Sequence, residues 1–346
     1  MRGLAGGRPW LLMEQSTSAV NWREHNLPKP PGQFRLESLQ AVARGADGLC
    51  YFQWRASRFG AERFHAAMVP HAGADTQLHA AVREHGQELR RLAGVAGEPV
   101  PARVAMVFGW ESWWALEDRG RPSDRLNAVD QLLSYYVPFF ERGVSVDVVP
   151  PDADLSAYAL VVVPNLFLVG DRDAAALTAY VNGGGVLVVG PFSGVVDPNA
   201  HIRTGRFPAP LREVLGASGE EWLPASGPVA CRWDGGAAFQ AESWTELLRS
   251  DGAEVVAEFA GGDLAGEPAI LRHRSGRASP GTWARCPGRT RWRASPGGCW
   301  PTRACPACWT SCRRASRRCA GERCCSCSTT APPPCGCRSP IRAWTC

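Results

Sequence analysis

The sequence predicts an α/β protein made of two folded parts and a final segment without a hydrophobic core. Short apolar runs alternate with amphipathic stretches of helical spacing between residues 9 and 93, and the alternation restarts after a Gly- and Pro-rich link at 94–101. Beyond residue 277 the large aliphatic residues nearly disappear. Alternation of this kind is typical of parallel strands covered by helices. Beyond residue 277 there are too few large apolar side chains to form a further hydrophobic core.

The first part, residues 1–93, contains two strand–helix units. Strands are predicted at 9–14 (PWLLME) and 49–54 (LCYFQW), and helices at 33–46 and 75–93. The pair Asp47-Gly48 is expected to end the first helix. The apolar side of the first helix is expected to consist of Leu36, Leu39, Val42 and Ala43. That of the second helix is expected to consist of Leu78, Val82, Leu89 and Leu92.

The same alternation in the second part, residues 102–272, predicts a separate doubly wound α/β domain, whose last third is expected to be mixed α+β. Strands are expected at 103–108, 144–149, 159–164 and 186–190, and helices at 124–142 and 171–182. The apolar side of the first of these helices is expected to consist of Leu126, Val129, Leu133, Tyr136, Val137 and Phe140. The run Gly183–Gly185 marks a helix end rather than a phosphate loop. No nucleophile follows a strand, so we predict a non-catalytic domain.

Residues 278–346 are predicted to be non-globular and disordered. They hold 12 of the 14 cysteines and 12 of the 38 basic residues, with one acidic residue and no Leu, Val, Phe, Met or Tyr. Because the chain has one lysine against 37 arginines, we infer a GC-rich gene and a frameshift near Arg277. The alternative is a zinc or disulfide module. Its cysteines would include Cys305, Cys308, Cys324, Cys325, Cys327, Cys335 and Cys337, but their irregular spacing, without histidine, disfavours it.

Charge and hydropathy narrow the possible function classes. Residues 1–277 carry 26 basic and 32 acidic residues, a net charge of −6, so we do not expect a nucleic-acid partner, which needs a basic face. The sequence contains no apolar run of about 18 residues, so we do not predict a membrane helix. Residues 1–15 lack the pattern of a secretory signal. The two remaining cysteines, Cys50 and Cys231, favour a reducing, cytoplasmic compartment. No cofactor is predicted.

Four residues are candidates for chemistry or binding. Glu14 ends a predicted strand, where a carboxylate either faces the mouth of a sheet or barrel or merely caps the next loop. Glu62 and His65, three residues apart on a turn, would share one face; they suit a sugar site, a metal site or a solvated loop. Trp22, like Trp54, suits stacking on a sugar ring or ordinary packing.

Two segments closely resemble the β-galactosidases of glycoside hydrolase family 42. They are RPWLLMEQSTSAVNW (8–22) and CYFQWRASRFGAERFHAAMVPHAG (50–73), with looser similarity at 193–201 and 208–216. The resemblance runs from Met1 to about Arg277. It implies the last two βα units of a TIM barrel, then an amidotransferase-like trimerisation domain. It also implies the family's activity, the retaining hydrolysis of terminal β-galactosyl bonds, in a homotrimer formed through residues 102–272.

The resemblance also implies roles for the four candidates. Glu14 would be the nucleophile, Trp22 would line the galactose subsite, and Glu62 and His65 would bind galactose hydroxyl groups. In the family the Glu14 strand is the seventh of eight, so the first six strands and the acid/base glutamate would precede Met1. We therefore expect a C-terminal fragment that is inactive by itself, with no metal site. The alternative function is a non-catalytic oligomerisation or binding module.

Overall fold

A computed structural model describes residues 1–275 and 282–284 of the chain. The cysteine-rich pattern and most of the segment predicted to be disordered lie outside the described residues. Within the described part, no helix is both long and apolar enough to cross a membrane.

Residues 1–93 form two parallel strand–helix units, as predicted. The elements are strand β1 (Trp10–Ser16), helix α1 (Gln33–Ala43), strand β2 (Ala46–Phe52) and helix α2 (Gln77–Arg91), followed by a 3₁₀ turn at Ala93–Val95. Strands β1 and β2 pair in parallel as a two-stranded sheet. Because parallel strands end at the same edge, the loops that leave β1 and β2 start side by side.

The predicted end of α1 is wrong. The helix ends earlier because Gly45 adopts the left-handed conformation, with φ 88°, and donates its amide to the Val42 carbonyl at 2.8 Å. A glycine in this position closes helices without a steric penalty. Asp47 and Gly48 belong to β2 instead.

The predicted apolar side of α1 is also wrong. Its buried residues are Phe34 and Ser38, whereas Leu36 is 65% exposed. Contacts with Tyr51 of β2 determine which face of α1 is buried. The Tyr51 ring lies 5.0 Å from the Phe34 ring, and its hydroxyl donates to the Ser38 hydroxyl at 2.9 Å. In α2, Val82 is buried as predicted.

The second domain begins with a parallel sheet covered by helices on both faces. Its elements are β3 (Val104–Val107), α3 (Trp110–Leu116), α4 (Ala128–Glu141), β4 (Val146–Val149), β5 (Leu160–Val163), α5 (Asp171–Asn182) and β6 (Val186–Val189). The strand order is β4-β3-β5-β6. Val104 and Met106 face a cluster that includes Leu132 and Phe139 of α4, whereas Ala105 packs with Leu177 of α5. The doubly wound class is therefore confirmed; only the short helix α3 was not predicted.

The predicted apolar side of α4 is partly wrong. Leu133, Val137 and Phe140 are 47%, 43% and 50% exposed. The side that packs on the sheet instead contains Leu132, Tyr135, Tyr136 and Phe139. Because this helix is apolar almost all round, spacing alone cannot select the buried face.

Further described strands extend the sheet beyond β6, the first of them parallel to β6 and the rest paired antiparallel, while two others form a separate antiparallel pair. After a 3₁₀ turn at Ala209–Leu211 come α6 (Arg212–Leu215), β7 (Ala217–Pro224), β8 (Val229–Trp233), β9 (Ala238–Ala241), β10 (Trp244–Ser250), β11 (Glu254–Phe259), β12 (Pro268–His273) and β13 (Thr282–Ala284). Strand β13 pairs with β6 on one side and β12 on the other. At these three residues the structure differs from the predicted disorder, because both neighbouring strands offer β13 a pairing edge.

A buried ion pair joins the start of the chain to the edge strand β4. Arg2 Nε donates to Asp147 Oδ1 at 2.6 Å, and Arg2 Nη2 donates to the Val146 carbonyl at 3.2 Å. Tyr158 donates its hydroxyl to the other Asp147 oxygen at 3.1 Å. Burial and the Asp147 charge raise the pKa of Tyr158 to about 12, so Tyr158 remains a donor at neutral pH. The two folded parts are thus tied together by charge-assisted hydrogen bonds.

Candidate active site

Glu14 lies at an irregularity of strand β1. Between Leu12 and Gln15, β1 advances by three residues while β2 advances by two. Met13 and Glu14 therefore both oppose Cys50. Such a bulge breaks the alternation of a strand and turns a side chain in a new direction. Both bulged residues are exposed, and within the described part of the chain the Glu14 carboxylate has no hydrogen-bond or ion-pair partner.

Lys29 ties the loop that follows β1 to the strand end and to α1. Its Nζ donates to the Ser16 carbonyl at 2.5 Å and to Glu37 Oε2 at 2.6 Å. Glu37 also accepts from Gln15 Nε2 at 2.9 Å and from Gln33 Nε2 at 2.7 Å. Burial acts to raise the pKa of Glu37, but these hydrogen bonds and the Lys29 charge together outweigh it and hold the pKa below its usual value. The end of β1 is thus fixed by a satisfied polar cluster.

The loops that leave β1 and β2 are bonded to each other. The Ala66 amide donates to the Ala19 carbonyl at 2.9 Å, and the Asn21 side-chain amide donates to the Ala61 carbonyl. These bonds hold side chains of the two loops next to one another.

Trp22 of the first loop stacks on His65 of the second. Their ring centroids are 5.1 Å apart and their planes are inclined by 29°. His65 is 2% exposed, and the Phe52 ring meets it edge-on at 4.9 Å. Its Nδ1 lies 2.8 Å from the Ala66 carbonyl, which can only accept, so we assign the proton to Nδ1. Nε2 is buried and has no partner among the described residues, and in the neutral ring it can accept a hydrogen bond from a group that reaches it.

Glu62 and Trp54 make no side-chain hydrogen bond or ring contact with this pair among the described residues. The His65 amide donates to the Glu62 carbonyl at 2.9 Å, as expected for a turn, but the Glu62 side chain is exposed while that of His65 is buried. The two side chains therefore differ in exposure, which the prediction of one shared face did not anticipate. Trp54 is 67% exposed. The structure brings Trp22 and His65 together, and no hydrogen bond in the described residues joins Glu14 or Glu62 to them.

Sequence reasoning missed Lys29, Glu37 and Phe52 as supports of the site. One signal was available, because Lys29 is the only lysine among 346 residues. A glutamate in a predicted helix, or a phenylalanine in a predicted strand, carries no comparable signal.

The carboxyl end of the second domain's sheet is filled with aromatic side chains. Phe192, with φ 55°, donates its amide to Glu246 Oε1 at 2.9 Å. Its ring lies 4.9 Å from the Phe167 ring and 4.6 Å from the Trp244 ring. In doubly wound proteins this edge usually holds the ligand crevice, whereas here aromatic side chains occupy it.

The described residues contain no group of three or more His, Cys, Asp or Glu side chains arranged for a metal ion.

The sequence matches two profiles of one enzyme family. Residues 102–282 match the family described as "Beta-galactosidase trimerisation domain", and residues 1–92 match "Beta-galactosidase". The β-galactosidase BgaB of Geobacillus sp. (strain Y412MC61) is 42% identical over 279 residues, which cover 80% of this chain and 42% of that protein. A β-galactosidase of Arthrobacter sp. is 43% identical over 288 residues, covering 83% and 41%.

Solved structures show the same similarity. The β-galactosidase of Rahnella sp. R3 superposes with a TM-score of 0.79 at 35% identity, covering 84% of this chain and 44% of that one. The β-galactosidase of Bacillus circulans superposes with a TM-score of 0.80 at 30% identity, with the same coverage. The chain spans less than half the length of these relatives.

Proposed function

Because the chain belongs to glycoside hydrolase family 42, we propose that it supplies the nucleophile side of a retaining β-galactosidase site. Glu14 is the nucleophile in this proposal, and Trp22, Glu62 and His65 bind the galactose ring. One observation supports it. Glu14 lies at the bulge of β1, and the stacked Trp22 and His65 lie on the loops that leave β1 and β2 at the same edge of the sheet. The carboxyl edge of parallel strands is where barrel enzymes place their active sites.

Each side chain has a defined part in the proposed reaction. Glu14 attacks the anomeric carbon, the bond to the leaving oxygen breaks, and a galactosyl ester forms on the carboxylate. His65 Nε2 accepts a hydrogen bond from a galactose hydroxyl, and the Glu62 carboxylate accepts another. The exposed face of Trp22 covers the apolar face of the ring. Together these contacts orient the anomeric carbon towards Glu14.

The reaction also needs an acid/base carboxyl group about 5–5.5 Å from the nucleophile. Among the described residues Glu14 has no hydrogen-bond or ion-pair partner, and the proposal assigns none of them the acid/base role. Loss of a general acid typically lowers the rate by about 10²–10⁴-fold. Among the described strands, β1 pairs with β2 only, which weakens the positioning of Glu14 further. We therefore propose that the chain alone has no useful turnover.

The test is to assay the purified chain with a nitrophenyl β-galactoside beside the Glu14→Gln variant. The proposal expects equal, background rates for the two proteins. Turnover that is lost in Glu14→Gln would show instead that the chain builds a complete site by itself.

We further propose that residues 102–272 assemble the chain into a homotrimer, which is the second candidate function if catalysis is absent. The exposed apolar row of α4, formed by Leu133, Val137 and Phe140, supports this assembly.

The two described cysteines are free thiols, and on this ground we propose a cytoplasmic location.

A further inference from the structure

An exposed group of tryptophans lies on helix α3, shortly after the first strand of the second domain. Trp110 and Trp114 are 44% and 63% exposed, and Trp113 is half-buried. Contiguous exposed apolar surface often marks a binding site. The proposed function gives these residues no role, and in the described part of the chain no ring contact or hydrogen bond joins them to Trp22 or His65.

Ring contacts and one hydrogen bond fix the tryptophan platform, which we define as Trp110, Trp113 and Trp114. The Trp110 ring centroid lies 5.5 Å from that of Trp113 and 6.4 Å from that of Trp114. The Phe108 ring, next to the end of β3, meets Trp110 edge-on at 5.6 Å. Trp113 donates Nε1 to Glu117 Oε1 at 2.8 Å. Rings that are held before binding lose little entropy when a ligand stacks on them.

Two exposed carboxylates border the platform. Glu111 and Glu117 lie three residues before and three residues after Trp114, and helical spacing places both beside its ring. Trp113 uses one oxygen of Glu117, so the other oxygen and the Glu111 carboxylate remain as acceptors. Because ionised carboxylates only accept hydrogen bonds, this border fits a ligand rich in hydroxyl donors and repels the phosphates of nucleic acid.

The platform is too small and its border too acidic for a stable protein interface. A large aromatic side chain offers about 150–250 Å² of surface, so the exposed parts of Trp110 and Trp114 amount to roughly 200 Å². Stable protein interfaces bury about 800 Å² on each partner, and their cores contain few Asp and Glu residues. One or two pyranose rings, whose C–H groups form an apolar face, match both the area and the chemistry.

We propose that the tryptophan platform is a surface site for a neutral glycan chain. In this arrangement sugar rings stack on Trp110 and Trp114, and their hydroxyl groups donate to Glu111 and Glu117. The site is non-catalytic and does not depend on the galactose site of the proposed function. Its consequence is retention of the chain on a polysaccharide, which raises the effective concentration of glycan for any other sugar site of the molecule.

Affinity electrophoresis of the full chain in native gels that contain soluble β-1,4-galactan tests the proposal. We expect retarded migration, and Trp110→Ala/Trp114→Ala should raise the apparent Kd at least about tenfold. Glu111→Ala leaves the rings in place and should raise it about threefold. Trp54→Ala/Phe59→Ala is the matched control, because it removes two aromatic side chains that are 67% and 85% exposed and should migrate as the unaltered chain does.

Gels with other polymers separate the ligand classes. Polygalacturonate, a related polymer with a carboxylate on each ring, should not retard the chain, because Glu111 and Glu117 repel it. Absence of retardation in galactan, or equal retardation of the platform variant and the unaltered chain, would overturn the proposal. A loss confined to Trp22→Ala would overturn it as well, but would leave the proposed galactose site standing. Retardation by polyarginine and not by galactan would assign the platform to a basic protein partner instead.

Discussion

Trp22 and His65 form a stacked pair in which one ring is 65% exposed and the other 2% exposed, with centroids 5.1 Å apart. The exposed ring offers a face to a ligand, while the buried ring is held by the Ala66 carbonyl at Nδ1 and by Phe52 at its edge. A surface tryptophan is thereby fixed in one orientation, which lowers the entropy lost when a ligand binds.

Replacement of Trp22 tests this pairing. Trp22→Ala should weaken galactose binding by about tenfold, because it removes the ring that covers the sugar. Trp54→Ala provides the control, since Trp54 is similarly exposed, at 67%, and has no stacked histidine. A titration of the full chain with galactose gives both affinities. Equal losses would show that Trp22 has no special place in the site.

The Lys29–Glu37 pair should make stability depend on pH. Glu37 has a lowered pKa in the folded chain, so its contribution is present above its unfolded pKa of about 4.3 and is lost as the pH falls through the lower folded value. Lys29→Met should therefore cost roughly 1–3 kcal/mol of unfolding free energy at pH 7, with a smaller cost below pH 4.

Urea unfolding at several pH values measures this effect. In the Glu37→Gln background, Lys29→Met should cost less at pH 7, because the charge partner is already removed. A cost for Lys29→Met that is constant from pH 7 to pH 3 would contradict the assigned ion pair.

The buried pair between Arg2 and Asp147 should contribute strongly to stability. Their side chains are 7% and 10% exposed, so Asp147→Asn leaves a buried guanidinium without its charge partner. We expect a loss of about 3–5 kcal/mol. Arg8→Ala, an exposed arginine bonded only to the nearby Ala5 carbonyl, should stay within about 0.5 kcal/mol. Denaturant unfolding measures both, and similar small losses would mean that the pair does not join the two parts.

The exposed row of α4 should be needed for assembly. Val137→Glu places a charge among Leu133, Val137 and Phe140 and should shift the chain towards monomer, because burying that charge at an interface is costly. Ala175→Glu, at an exposed position of α5, is the matched control and should leave the mass unchanged. Light scattering at micromolar concentration reports the mass. A trimer with Val137→Glu would exclude this row from the interface.

The sequence was sufficient for the order of most strands and helices, but not for the orientation of the candidate side chains, whose roles stay predictions. Strand and helix periodicity located β1 to β6 and the helices α1, α2, α4 and α5, but not α3, because those runs pair apolar spacing with turn residues. It could not place the register shift that exposes Glu14, since a bulge depends on the partner strand. Nor could it show that His65 is buried while Glu62 is exposed, because both lie on an irregular loop. The face of α1 was mistaken for a similar reason: Tyr51, a residue of another element, selects Phe34 and Ser38.

The nucleophile assignment of Glu14 can be tested in a complete enzyme context. Residues 1–275 can replace the matching segment of the Geobacillus relative, to which the chain is 42% identical, and hydrolysis of a nitrophenyl β-galactoside is then measured. We expect an active chimera in which Glu14→Gly lowers the rate by at least about 10³-fold. Azide should restore turnover of Glu14→Gly and yield the α-galactosyl azide, because it attacks from the face that Glu14 has vacated. A chimera whose Glu14→Gly variant keeps its rate within tenfold, or gives no α-azide, would contradict the assignment.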